Sequence, residues 1–142
     1  MAECEPLGLT GVEGIHYYVR DLERMRSFLV NQLDFAEIGG SSSQTNDKGG
    51  QTTAVFRAGG VQFVVSQPLR EGSRAWRWLR RHPEGVGTIV FSVADADRTF
   101  KLLDQRGGTF INAVERWDPW CTFRLCDGDG KKEGRNNSFV IL

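Results

Sequence analysis

Apolar residues along this chain fall into two rhythms, and the order of the rhythms repeats. Between Gly14 and Val19, Ile15, Tyr17 and Val19 alternate with Gly14, His16 and Tyr18, a strand pattern. Leu22, Met25, Phe28, Leu29 and Leu33 then recur at helical spacing. They predict a helix with that stripe buried, opened by Asp21 as its N-cap. Ile38–Gly50 is polar and rich in Gly and Ser, the composition of a mobile loop. Thr53–Arg57 and Val61–Gln67 read as strands about the turn Ala58-Gly59-Gly60. Ser73–His82 reads as a short helix stopped by Pro83. Val86–Val93 is again a strand, and Asp95 caps a second helix through Leu103 that Gly107-Gly108 closes. Thr109–Asn112, Cys121–Cys126 and Ser138–Leu142 are three further strands, and Asp127–Asn137 is a polar hairpin loop.

The second half restates the first. Val19-Arg20-Asp21-Leu22-Glu23-Arg24 returns 74 residues later as Val93-Ala94-Asp95-Ala96-Asp97-Arg98. Repetition at such a period predicts two copies of one supersecondary unit. The expected fold is α+β: two βαβββ units, 12–68 and 86–142, joined by a helical link over 69–85 within a single domain, 1–142. Each sheet carries its helix on one face, and the other two faces form a shared cup. Strand parity sends Ile15, Tyr17 and Val19 under the first helix, and Ile89, Phe91 and Val93 under the second. It places His16, Tyr18, Gln62, Thr88, Ser92 and Ser138 in the cup, where they supply hydrogen-bonding groups for a small ligand. Trp117 and Trp120, flanking Pro119 at the rim, either stack on an aromatic ligand or plug the cup.

Charge and cysteine content narrow the function classes. The 142 residues carry 18 basic and 18 acidic side chains, so no net field draws the chain to nucleic acid or to an acidic membrane. The tract Arg74, Trp76, Arg77, Trp78, Arg80, Arg81 interleaves base-stacking and basic residues, but reads as an amphipathic linker rather than a nucleic-acid surface. No apolar run reaches the roughly 18 residues of a membrane span, and the acidic start Met1–Pro6 does not read as a signal peptide. Three cysteines, Cys4, Cys121 and Cys126, make no disulfide framework and no zinc pair, which points to the reducing cytoplasm. Asp127-Gly-Asp-Gly130 imitates the start of a calcium loop but has Ser138 where the closing Glu belongs, and reads as a hairpin turn.

Paired βαβββ units are the plan of the vicinal oxygen chelate superfamily of glyoxalases, extradiol dioxygenases and antibiotic-resistance proteins. Within it the chain resembles the N-terminal domain of 4-hydroxyphenylpyruvate dioxygenase and its relatives, the hydroxymandelate synthases. The likeness is carried by Gly14-Ile-His-Tyr-Tyr-Val-Arg-Asp21, by Val55-Phe-Arg-Ala-Gly-Gly-Val-Gln-Phe-Val-Val-Ser-Gln-Pro-Leu69 and by Arg81-His-Pro-Glu-Gly-Val-Gly-Thr-Ile-Val-Phe-Ser-Val-Ala-Asp95. It runs with good register over roughly residues 12 to 110.

The resemblance implies a non-catalytic domain. The dioxygenase's Fe(II), held by two His and one Glu, belongs to its C-terminal domain. Superfamily members with a metal place the first-strand ligand seven residues before the capping Asp, which is Gly14 in one unit and Thr88 in the other. Their acidic ligand comes from the last strand, where Gln62, Val64, Ser66, Ser138 and Val140 stand here. The resemblance therefore implies no metal, no catalytic residue and no cofactor, with an aromatic small molecule as ligand. It allows a homodimer or a catalytic domain beyond Leu142 as partner. Two alternatives remain open at this point. One is a small glyoxalase- or dioxygenase-like enzyme that holds Fe(II) through His16 with Glu13 or Glu115. The other is a dimeric drug-binding protein of the bleomycin-resistance type. His82, ahead of Pro83, reads as a helix terminator.

Overall fold

The computed structural model describes residues 4–117, 120–126 and 138–141, with side chains as far as residue 110. The chain folds α+β as two compact units, one of Gly14–Gly87 and one of Met1–Glu13 with Thr88–Leu142.

The elements follow the two rhythms of the sequence. They are β1 (Leu9–Tyr18), α1 (Leu22–Ser27) running into a π-helical turn (Phe28–Gln32), β2 (Ala36–Gly40), α2 (Ser43–Gly49), β3 (Gln51–Ala58), β4 (Val61–Pro68) and α3 (Arg74–Leu79). β5 (Gly85–Val93), α4 (Ala96–Gln105), β6 (Thr109–Trp117), β7 (Trp120–Cys126) and β8 (Ser138–Ile141) complete the order. In the first unit the strands lie β2-β3-β4-β1, with β4 and β1 parallel and the other pairs antiparallel. In the second they lie β5-β8-β7-β6, with β5 and β8 parallel. Each unit thus pairs its first strand with its last in the same sense, the structural form of the 74-residue repeat.

The helix starts are matched as well. The Asp21 carboxylate accepts from the Arg24 amide at 3.0 Å, and Asp95 accepts from the Arg98 amide at 3.0 Å. Each satisfies an amide that the first helical turn leaves without a partner. α4 ends in a Schellman motif: Gly107, at φ +80°, lets the Gly108 amide reach Leu103 O at 2.9 Å and its own amide reach Asp104 O at 3.0 Å.

Parity decides the faces of the first sheet. Val19, Ala54, Phe56 and Val65 are buried beneath Leu22 and Leu29, with Tyr17, Phe63, Met25 and Phe35 packed around them. Each such side chain fully removed from water contributes roughly 1.5–3 kcal/mol. The opposite face carries Tyr18, buried with Ala75, Trp78 and Leu79, so the linking helix α3 covers the end of that face.

Two expectations are corrected. Ile38–Gly50 is not a loop: Ala36–Gly40 pairs with β3 and Ser43–Gly49 is helical. Ser42 caps that helix through the Thr45 amide, and Gly50 ends it at φ +64°. The polar composition that suggested a loop instead supplies caps. The buried stripe of α1 is also narrower than its spacing suggests, because Phe28 and Leu33 are exposed. Phe28 lies about a quarter-turn from the line through Leu22, Met25 and Leu29. Leu33 ends the helix at the left-handed Asp34 (φ +56°). The reversal bonds the Phe35 amide to Leu29 O at 2.9 Å, and Phe35 rather than Leu33 packs on Phe63.

Candidate functional site

The face of the first unit that carries α3 also carries its polar side chains. β1 and β4 pair with Tyr18 opposite Ser66, and β3 and β4 pair with Thr53 opposite Ser66. Three strands therefore converge on one fully buried hydroxyl. Ser66 Oγ lies 2.7 Å from His16 Nε2, 2.7 Å from Thr53 Oγ1 and 3.5 Å from Gln51 Nε2. A serine hydroxyl donates once and accepts twice. With the Gln51 amide donating, Ser66 either donates to His16 and accepts from Thr53, or accepts from His16 and donates to Thr53. The two arrangements are the two states of the imidazole Nε2, so the proton on His16 sets the direction of the Thr53 hydroxyl. Gln51 is held in turn by α3, whose Ala75 amide donates to Gln51 Oε1 at 2.9 Å.

Beside this cluster runs a stack of four rings. His16 and Tyr18 stack with centroids 4.5 Å apart, Tyr18 and Trp78 follow at 5.6 Å, and Trp78 and His82 at 4.1 Å. The chain's two histidines stand at the two ends of one column. Buried Trp78 Nε1 and His82 Nε2 have no hydrogen-bond partner among the described residues. The tryptophan that packs from α3 is Trp78, while Trp76 lies under the Arg80 guanidinium at 5.3 Å.

Of the residues that parity assigns to the cup, the structure brings His16 and Tyr18 together on this face, Tyr18 as a 1% exposed residue beneath Trp78. Gln62 stands at the Gly14 end of the sheet, its Oε1 accepting from Arg57 at 2.8 Å. Thr88 and Ser92 belong to the second unit. There Thr88 is buried and in register with Ser138, and the Ser92 hydroxyl donates to Glu13 at 2.9 Å. Trp117 and Trp120 are register partners at one end of the β6–β7 pair. The side chains of Ser138, Trp117, Trp120, Cys121 and Cys126, and the turn Asp127–Gly130, lie outside the described residues. Sequence reasoning missed Gln51 and Thr53 as members of the cluster. Their alternation is masked by Thr52, a polar residue at the position that parity sends to the other face.

The residues of this face do not fit the iron centre of the dioxygenases. A two-His-one-carboxylate site needs anionic oxygen beside imidazole, and this cluster offers two hydroxyls, one amide and a single imidazole bonded to Ser66. At the first-strand ligand position Gly14 offers no donor, and a Cβ there would already lie 3.4 Å from Gln62 O. Among the described residues no three His, Cys, Asp or Glu side chains converge.

The described residues of the first unit border cavities on two sides of its sheet edge region. One, of about 370 Å³, adjoins Glu23, Arg26, Phe35 and Glu37. Its charges are compensated internally, since the Arg26 guanidinium bridges both carboxylates, Glu37 at 2.8 Å. The hydrogen bonds that Arg26 donates to Glu37 and Glu23 hold its proton more tightly than an ordinary arginine's. Another, of about 310 Å³, borders the polar cluster at Gln51 and Thr53. No helix among the described residues is long and apolar enough to cross a membrane.

Residues 11–124 match the Glyoxalase/Bleomycin resistance protein/Dioxygenase superfamily, and the chain belongs to that superfamily. Solved structures of the same fold include methylmalonyl-CoA epimerase from Mycobacterium tuberculosis, at 17% identity and TM-score 0.73 over 94% of this chain and 87% of that one. A variant of the methylmalonyl-CoA epimerase of Streptomyces coelicolor, in complex with 2-nitronate-propionyl-CoA, gives 21% identity and TM-score 0.71 over 94% of this chain and 97% of that one. A variant of 4-hydroxymandelate synthase from Streptomyces coelicolor gives 19% identity and TM-score 0.81 over 95% of this chain and 38% of that one. No curated protein matches the sequence.

Proposed function

We propose that this chain is a metal-free small-molecule-binding domain of the 4-hydroxyphenylpyruvate dioxygenase kind, comparable to that family's N-terminal domain. The observation that carries the reading is the composition of the His16 face. A superfamily position that would furnish a metal ligand is Gly14, and the polar groups further along β1 and its neighbours, centred on Ser66, are hydroxyls, an amide and one imidazole, with no carboxylate among them. Such a set orients a ligand through hydrogen bonds and aromatic contact, without activating it. The 4-hydroxymandelate synthase likeness supports the reading, because this chain corresponds to 38% of that protein. An aromatic carboxylic acid is the ligand proposed, and a homodimer or a catalytic domain is the partner proposed.

The test is titration of the chelator-treated chain with 4-hydroxyphenylpyruvate in a calorimeter. The expected result is saturable binding that Fe(II) does not alter and that His16→Ala abolishes while circular dichroism stays unchanged. Oxygen uptake by the chain with Fe(II) and the same acid would overturn it.

A second reading is favoured by length, since the chain covers 87% and 97% of the two epimerases. It is a small metal-dependent enzyme that takes Fe(II) or a similar ion through His16. Elemental analysis separates the two: one metal per chain, lost in His16→Ala, supports the enzyme.

A further inference from the structure

We propose that the 310 Å³ cavity beside α3 is a binding site for a phosphoryl group, separate from the position where the superfamily holds its metal. The cavity is bounded by Ser41, Thr45, Gln51, Thr53, Arg74 and Arg77, with Ser73 and two glycines completing it. Its lining is four hydroxyls, one amide and two guanidinium groups, with no carboxylate. The Arg26 cavity differs in that two carboxylates, Glu23 and Glu37, line it. Asp47 and Glu71 lie nearby in the sequence but not in the lining.

The donors approach from three sides. Gln51, with one amide N–H beyond its Ser66 contact, comes from β3, Thr45 from α2, and Arg74 and Arg77 from α3, while the Ser41 and Thr53 hydroxyls, bonded to Asn46 and Ser66, shape the lining. The two arginines are three apart on one helix and so share a face. A tetrahedral phosphoryl group, with three terminal oxygens, uses donors arriving from three directions. A planar carboxylate uses those arriving in one plane.

The lining is also held in place. The Ser41 hydroxyl bonds to Asn46, and Ser41 Oγ accepts from the Thr53 amide at 2.9 Å. Gln51 is fixed by Ala75 at 2.9 Å, and the Ser73 hydroxyl caps α3 through the Trp76 amide at 3.1 Å. Arg77 donates one N–H to Gly72 O. A guanidinium has five, so this bond orients Arg77 at the cavity and leaves donors for an oxyanion. The cavity matches the small end of ligand pockets, room for a free phosphate or a short phosphate ester. It lies at the Tyr18–Ser66 end of the sheet, four residues along β1 from Gly14, or about 13 Å.

The test is a nuclear magnetic resonance titration of the whole chain with inorganic phosphate, sn-glycerol 3-phosphate and malonate, at ionic strength held constant with sodium chloride. The expected result is saturable shifts of the Thr45, Gln51, Thr53 and Ser73 amides with both phosphates. Arg74→Gln/Arg77→Gln should weaken binding at least about tenfold, and Arg57→Gln, at the far end of β3, should leave it unchanged. Tighter binding of the glycerol ester identifies an esterified ligand, and equal binding the free ion; both support a phosphoryl site. Malonate binding as tightly as phosphate would overturn the assignment. So would shifts that do not saturate, or that persist in the double variant. If the double variant does not fold, Thr45→Ala, on the exposed helix α2, provides the same comparison.

Discussion

Gly87→Ala tests whether the ring column on the α3 face is as tightly closed as its geometry indicates. A Cβ on Gly87 would stand 2.2 Å from Tyr18 Cε2, 2.4 Å from Tyr18 Cδ2 and 3.3 Å from Trp78 Cδ2. Ordinary contact begins more than 1 Å further out, so the Tyr18 ring would have to move by at least that much. It has nowhere to go, with His16 stacked at 4.5 Å, Trp78 at 5.6 Å, and Ala75 and Leu79 closing the cluster. Overpacking a core of this kind costs about 1–3 kcal/mol, and backbone-anchored crowding of a buried ring belongs at the upper end. For a chain of this length ~3 kcal/mol lowers Tm by roughly 10 °C. Gly85→Ala is the matched control, because its added Cβ meets nothing within 4 Å. It should be neutral or raise stability by up to ~0.5 kcal/mol through reduced freedom of the unfolded chain. Thermal and urea denaturation followed by tryptophan fluorescence measure both, and near-ultraviolet circular dichroism reports the Tyr18 and Trp78 environment. Equal Tm values for the two variants would refute the packing argument.

Two further substitutions probe the cluster and the repeat. Ser66→Ala deletes the buried hydroxyl that His16, Thr53 and Gln51 share. It should cost about 1–3 kcal/mol in urea denaturation, and a loss below the error of that measurement would mean that the three partners do not depend on Ser66. Asp21→Ala and Asp95→Ala each remove an N-cap of the same 3.0 Å geometry. Each should cost about 1 kcal/mol, and the pair should agree within a few tenths; a loss confined to one would break the equivalence of the two units.

The repeat, the caps and the helix-side face were legible because each depends on local chemistry at fixed spacing. Asp21 and Asp95 announce helix starts whatever surrounds them, and Gly107 marks a helix end because it stands at positive φ. Strand parity correctly put Tyr17 and Val19 with the helix, and His16 and Tyr18 on the other side. Long-range placement was not legible. Nothing in Ser41-Ser42-Ser43 distinguishes a loop from a capped helix until Ser42 meets the Thr45 amide. Nothing local said that α3 would cover Tyr18 or that Phe35 would take the place expected of Leu33. The Arg77 cavity was equally hidden, because its lining joins residues from 41 to 77 through tertiary contact alone.

The two units share what folding requires and differ in what chemistry requires. Register makes the difference specific: β1 and β4 bring His16 opposite Val64, and the corresponding place in β5 and β8 brings Val90 opposite Val140. The imidazole of the first unit's network is thus replaced by valine in the second, which supplies no hydrogen-bonding side chain at that position. Gly14 in the first unit corresponds to Thr88 in the second, so the place of the superfamily's first-strand ligand holds no imidazole or carboxylate in either copy. The caps at Asp21 and Asp95 and the parallel pairing of first and last strands are retained in both, because each unit needs them to form its helix and sheet. The polar network and the arginine-lined cavity belong to the unit Gly14–Gly87. Substitutions that alter ligand binding through either feature should therefore fall in that unit, while substitutions at the caps of either unit should act on stability alone.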